Sequence, residues 1–196
     1  MLGSPQKIGI LILTACCLDL SSNIVIQAQP SLGQPVTFAD GTYCQGNFQG
    51  NTLSLTGTGT CLYGGSDAKS RDTYTGEFRN GLPNGIGVYT FANRDRYQGQ
   101  FINGVPNGRG EFIYGPGGSN GDDRYQGQFR NGVFNGFGLY IYNNGNRFQG
   151  RFLMGQPNGF GVYVAKDGTR CQGQYFNSQL DGRGTCIDVK GNRYEG

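Results

Sequence analysis

Histidine is absent from all 196 residues. That absence removes the imidazole base of Ser-His-Asp and Cys-His nucleophile pairs, and with it the commonest metal ligand. Glutamate is scarce, occurring only at Glu77, Glu111 and Glu195. With strands laid down in chain order, Glu77 and Glu111 stand three strands apart, about 14 Å, outside the roughly 5–9.5 Å of a glycosidase carboxylate pair. Glu195 falls in the last, truncated unit of the repeat described below. No apolar run reaches the roughly 20 residues of a transmembrane helix. The formal net charge is only +3, short of the basic excess of a nucleic-acid-binding domain. These absences exclude the familiar hydrolytic constellations, imply no cofactor and leave binding as the expected activity.

Glycine is what the chain has instead. The 37 glycines far exceed the usual share of about 7%. They follow no G-X-Y period, so a collagen-like helix is excluded. Turns and close backbone approaches, as in short β-hairpins, account for such a load.

The N-terminus reads as an export signal. Lys7 supplies a positive start, and Ile8 to Leu18 is an apolar run of the length of a signal core. Cleavage after Ala28, in Ile26-Gln27-Ala28, removes Cys16 and Cys17 and is the favoured reading. The alternative is a lipoprotein signal over 1–15, with Leu13-Thr14-Ala15-Cys16 as lipobox and Cys16 lipidated. It leaves Cys17 unpaired in an oxidising compartment. Either way the protein is expected in the periplasm, cell envelope or medium, with residues 29–39 as a linker to a domain over 40–196.

That domain repeats. Aligned triplets are Cys44-Gln45-Gly46, Tyr74-Thr75-Gly76, Tyr97-Gln98-Gly99, Tyr125-Gln126-Gly127, Phe148-Gln149-Gly150, Cys171-Gln172-Gly173 and Tyr194-Glu195-Gly196. Their starts differ by 30, 23, 28, 23, 23 and 23 residues, a period of 23 with two insertions. An aromatic follows two residues after each full triplet, at Phe48, Phe78, Phe101, Phe129, Phe152 and Tyr175. A loop, often Asn-Gly, and then a Gly-x-Gly complete each unit. This pattern resembles the MORN repeat, Y-x-G-x-W/F-x-x-G-x-x-x-G-x-G, over about residues 40–196. Phe or Tyr stands where that family often has Trp, and Cys replaces the first aromatic in units one and six. The resemblance implies an elongated all-β array used for scaffolding, membrane apposition or lipid contact, with no catalytic residues.

Alternation gives the hairpin independently. Folding unit two sets Tyr74 opposite Tyr89, Gly76 opposite Gly87 and Phe78 opposite Gly85. One face then carries rings over bare backbone. Asn144-Gly145 and Asp167-Gly168 are expected to join units through primed turns with two positive φ values. The fold class is thus all-β: one elongated single-sheet solenoid of about six full antiparallel hairpins and a truncated seventh, roughly 60 Å long at ~4.8 Å per strand.

The same register sets Cys44 opposite Cys61 and Cys171 opposite Cys186, predicting one disulfide in each outer hairpin. A four-cysteine zinc site is excluded, since units one and six lie about 50 Å apart. Asp72, Asp95, Asp123 and Asp167 precede first strands and read as turn residues. Gly115 to Asp123, with Ser119, Asn120, Asp122 and Asp123, lacks EF-hand spacing and reads as a solvated insertion.

Two surface features remain on the face away from the rings. Arg96, Arg124, Arg147, Arg170 and Arg193 precede consecutive triplets, a candidate row for anionic lipid or acidic glycan; the plainer reading is a solvated edge. Phe137, Leu139, Phe160 and Val162 alternate with Tyr140 and Tyr163 and form a candidate apolar contact patch. A protein partner is the foremost expectation, with self-association through the C-terminal strand edge as a further one.

Overall fold

A computed structural model describes residues 33–50, 54–64, 71–117 and 120–196. The export-signal reading of residues 1–28, with Cys16 and Cys17, lies outside the described residues, as does Ser119. The described strands are β1 Val36–Thr37, β2 Tyr43–Gln49, β3 Thr56–Tyr63, β4 Asp72–Arg79, β5 Leu82–Thr90, β6 Arg96–Ile102 and β7 Val105–Ile113. They continue with β8 Arg124–Arg130, β9 Val133–Ile141, β10 Arg147–Leu153, β11 Gln156–Val164, β12 Arg170–Phe176, β13 Gln179–Ile187 and β14 Arg193–Glu195. All 14 form one antiparallel sheet in chain order. β1 falls within the stretch read as linker: Val36 pairs with Cys44 and Thr37 with Tyr43. The seventh triplet pairs within the chain, Tyr194 opposite Cys186.

The ladder of opposed rings and glycines is present. Tyr74 opposes Tyr89 and Gly76 opposes Gly87; Tyr125 opposes Tyr140 and Gly127 opposes Gly138. Each ring of the first strand lies across its glycine pair. A Cβ built on Gly138 would sit 2.5 Å from both Cε2 and Oη of Tyr125, well inside van der Waals contact. Neighbouring units interlock edge to face, as Tyr125 does with Phe152 at 5.0 Å and Phe148 with Tyr175 at 4.9 Å. The rings at Tyr74, Tyr97, Tyr125, Tyr140 and Phe148 are buried.

Beyond the glycine pair the register departs from simple alternation. Phe78 opposes Pro83, not Gly85, because β5 spends four residues where β4 spends two. The same bulge recurs in β6–β7, β8–β9, β10–β11 and β12–β13. A bulge breaks ladder hydrogen bonds, and this one supplies substitutes. The Tyr74 hydroxyl donates to the Glu77 carbonyl at 2.9 Å, and the Ile86 amide donates to the Glu77 carboxylate at 2.9 Å. Tyr97 with Gln100 and Tyr125 with Gln128 repeat both bonds, the amide donors being Arg109 and Phe137. Unit one runs without a bulge, so there Phe48 does oppose Gly57.

Turn types also differ from expectation. The primed turns are the hairpin tips: Asn103 and Gly104 have φ of 48° and 83°, and Asn131 and Gly132 have 50° and 77°. The five-residue connectors at Phe91–Asp95, Tyr142–Asn146 and Ala165–Thr169 hold one left-handed residue each, Arg94, Gly145 and Gly168. In Tyr142–Asn146, only Gly145 has positive φ, and its amide donates to the Tyr142 carbonyl at 2.9 Å. That is a type I turn with a bulge, the second common hairpin solution.

Successive units are joined at both ends. Tip amides of Gly104, Gly132 and Gly155 donate to the Pro83, Pro106 and Phe134 carbonyls of the preceding unit. At the connectors, Asp72, Asp95 and Asp123 accept the Ala92, Gly115 and Asn143 amides one unit on. Asp123 is therefore a buried bracket, not part of a solvated insertion. The cysteines lie opposite one another, with Cα separations of 4.1 Å for Cys44–Cys61 and 4.0 Å for Cys171–Cys186.

Two substitutions separate the constraints. Gly138→Ala forces a methyl into the Tyr125 ring and is expected to cost about 1–3 kcal/mol in urea unfolding. Met154, at φ 50° in a tip where other units have Asn, gains about 0.5–2 kcal/mol as Met154→Asn, since Asn tolerates the left-handed region better.

Candidate functional site

The ring face has little left to offer a ligand. Besides the bulge-closing hydroxyls, Tyr89 donates to Asp72 at 2.7 Å and Tyr140 to Asp123 at 2.6 Å. Burial holds the phenols of Tyr74, Tyr89, Tyr97, Tyr125 and Tyr140 well above the ordinary value of 10.0, and the acceptor carboxylates raise Tyr89 and Tyr140 further.

The outer face is open. Its side chains fall into cross-strand ranks, because strand register is held by the glycine pairs. In the first rank, Arg96, Arg124, Arg147, Arg170 and Arg193 alternate with Ile113, Ile141, Val164 and Ile187. The insertion after unit three leaves Arg96 in line with the rest. The arginines are not isolated charges. Arg124 forms an ion pair with Glu111 of β7, and Arg193 with Glu195. Arg96 donates to Gln98 at 2.8 Å and Arg170 to Gln172 at 2.6 Å.

A second rank runs Gln98, Glu111, Gln126, Leu139, Gln149, Val162 and Gln172. The apolar quartet is split by it. Phe137 and Leu139 lie on β9, and Phe160 and Val162 on β11, while Gln149 and Arg151 of β10 stand between. The Arg151 guanidinium sits 5.4 Å above the Phe137 ring. Phe137 and Phe160 remain 63% and 55% exposed. The quartet is thus a striped surface in which aromatic and guanidinium planes alternate.

Part of this face is concave. A trough of about 910 Å³ crosses β5 to β10, lined by Ile86, Arg109, Glu111, Arg124, Phe137 and Leu139 among others. Strand alternation puts ten of the chain's arginines, its three glutamates and Asp181 on the outer face, a local charge of +6 within a chain of net +3. Asp95, Asp122, Asp123, Asp167 and Asp188 lie between strands. Sequence reasoning overlooked the Arg109 and Arg151 rank and the Glu111–Arg124 pair. The signal was available: Ile86, Arg109, Phe137, Phe160 and Arg183 occupy one column of the repeat. No group of three or more His, Cys, Asp or Glu side chains with metal-holding geometry occurs among the described residues.

Five consecutive units match the MORN repeat, at residues 74–96, 97–119, 125–147, 148–170 and 171–193. The chain belongs to the MORN-repeat family. Its first unit, around Cys44, falls outside the matched span, in keeping with its bulge-free hairpin. No curated protein matches this MORN chain. Among solved structures it is similar to the TCP domain of Drosophila melanogaster SAS-4 (dCPAP), in complex with a proline-rich motif of Ana2. That match has 15% identity and a TM-score of 0.43, covering 87% of this chain and 95% of the other. The G-box domain of the microcephaly protein CPAP is similar at 15% identity and a TM-score of 0.31, covering 84% and 97%.

The buried phenols set a pH limit on the fold. Their folded pKa is raised, so their contribution is fully present below pH 10.0 and is lost as pH rises above it. In a titration, phenolate absorbance is expected to rise cooperatively with loss of far-UV circular dichroism above pH 10. A smooth titration near 10.0 with the sheet intact would contradict the ring burial.

Proposed function

We propose that this MORN array is a non-enzymatic interaction or scaffold module of the periplasm or cell envelope, with its partner lying along its outer face. One observation carries the reading. The sheet has two faces; one is consumed by the ring ladder, and the other spreads exposed aromatic, arginine and glutamine side chains over several units. A surface of that kind suits contact distributed along an array rather than capture in a pocket. The outer-face carboxylates also support it, since Glu77 is bonded to a backbone amide and Glu111 to Arg124.

The exported location is supported by the cysteines. Two opposed pairs in the outer hairpins suit an oxidising compartment, where a bond closing a loop of about 15 residues is worth around 3 kcal/mol on the chain-entropy model. Non-reducing peptide mapping of the protein from its native source is expected to give Cys44–Cys61 and Cys171–Cys186. Recovery of free thiols at these four positions would remove this support.

A second reading, contact with anionic lipid or acidic polysaccharide, is favoured by the continuous arginine rank. Salt separates the two, because a basic rank is screened and an apolar contact is not. Replacing Phe137 and Phe160 together by Ser is expected to leave the unfolding free energy within about 0.5 kcal/mol of wild type, as at other exposed sites. The same change should weaken capture of the partner from envelope extract at both low and high salt. Unfolding of the double variant, or unchanged capture, would count against the outer face as the contact surface.

A further inference from the structure

Repetition is the property of the outer face that a protein partner does not explain. Identical groups recur at one position of successive units: arginine at 124, 147 and 170, and glutamine at 126, 149 and 172. Two strands per unit set them about 10 Å apart. A protein segment presents unlike side chains at unequal intervals. A ligand with the same group at every step is a polymer of identical units.

The chemistry of the ranks narrows that polymer. Among the described residues lysine occurs only at Lys166 and Lys190, both in connecting turns, so the charge of the face is arginine. A guanidinium fork receives a carboxylate through two parallel hydrogen bonds, which an ammonium cannot do. The bonds from Arg96 to Gln98 and from Arg170 to Gln172 hold two of these forks along the face, with further N–H groups free to donate. Each glutamine amide offers both donor and acceptor, the pair needed by a hydroxyl. Phe137 and Phe160, one unit apart and more than half exposed, present flat apolar rings, with Arg151 lying over the first. Carboxylates, hydroxyls and flat C–H faces together describe an acidic sugar chain.

Shape discriminates further. The trough across β5 to β10 carries Arg109, Glu111 and Arg124 in its lining. A planar layer of lipid headgroups cannot follow the sheet into it, whereas an extended chain can. A peptide crossing the strands there would find the backbone ladder already paired, and so would lack the main-chain bonds of strand addition.

We infer that the outer face binds an extended acidic polysaccharide, its carboxylates on Arg147 and Arg170, whose rank neighbours Arg124 and Arg193 are already held by Glu111 and Glu195, and its ring faces on Phe137 and Phe160. This rests on the outer face being the binding surface. The test uses the full, oxidised chain with four probes in calorimetry: polygalacturonate of graded length, neutral dextran, polyglutamate, and phosphatidylglycerol vesicles. Polygalacturonate is expected to bind, more tightly as its length reaches across successive units, and to be released by high salt. Arg147→Gln and Arg170→Gln together should weaken it by at least about tenfold through lost multivalency. Phe137→Ala with Phe160→Ala should weaken it severalfold without changing the salt dependence. Equal or tighter binding of polyglutamate or vesicles, lost in the arginine variant, overturns the polysaccharide while keeping the outer face. Polygalacturonate binding indifferent to both variants, or no binding of any probe, overturns the assignment of ligand and face together.

Discussion

Tyr125 lies across Gly127 and Gly138, and no side chain larger than hydrogen fits beneath it. A ring on bare backbone buries its area without a second layer of structure, which is how a single sheet comes to have a core. The contact also fixes register. Sliding one strand by a residue would put a side chain under the ring and turn every aromatic to solvent. Rings of adjacent units then interlock edge to face, as Tyr97 does with Phe129 at 4.8 Å, so each unit is held chiefly by its neighbours.

The bulge follows from the same contact. With the ring over the glycines, the tyrosine hydroxyl reaches past them to the carbonyl of the next strand residue, Gln128 in unit four. That carbonyl has lost its ladder partner, and a buried unpaired carbonyl would cost about 1–3 kcal/mol. Tyrosine rather than phenylalanine at 74, 97 and 125 therefore answers a backbone demand. Unit five carries Phe148 and Arg151 at the corresponding places, so it lacks both the hydroxyl donor and the side-chain acceptor that close the bulges of units two to four.

Much of this was legible in the sequence, and what was not has a definite cause. The glycine pairs and opposed tyrosines emerged because the alternation of Tyr74-x-Gly76 and Gly87-x-Tyr89 is symmetrical about the turn. Phe78 was misplaced because a period of two cannot register the extra residues spent before Gly85. Asn144-Gly145 and Asp167-Gly168 carry the dipeptides of primed turns, yet the primed turns form at tips such as Asn103-Gly104. What separates them is loop length between paired strands, which the dipeptide does not carry. The arginine row is legible as one column of the repeat, but the side chains that stand between its members are not, since a rank joins residues from neighbouring strands. Phe137 and Phe160 looked contiguous by column, and only the pairing puts Arg151 between them.

The five-residue insertion after unit three shows why the ranks can act as one surface. It enlarges a connector, yet Asp123 brackets the Asn143 turn as Asp72 brackets that of Ala92, and Tyr114 still pairs with Asp123 across the loop. Register on either side is untouched, so Arg96 and Arg124 remain neighbours in rank across Ile113. For a multivalent ligand the number of consecutive units in register sets affinity, because each added contact is intramolecular. Fraying removes units from the ends of such an array first. The opposed cysteines stand in those outer hairpins, where a ring pair has one fewer neighbour to lock against. A disulfide in each would keep the end units in register and so maintain the usable length of the face.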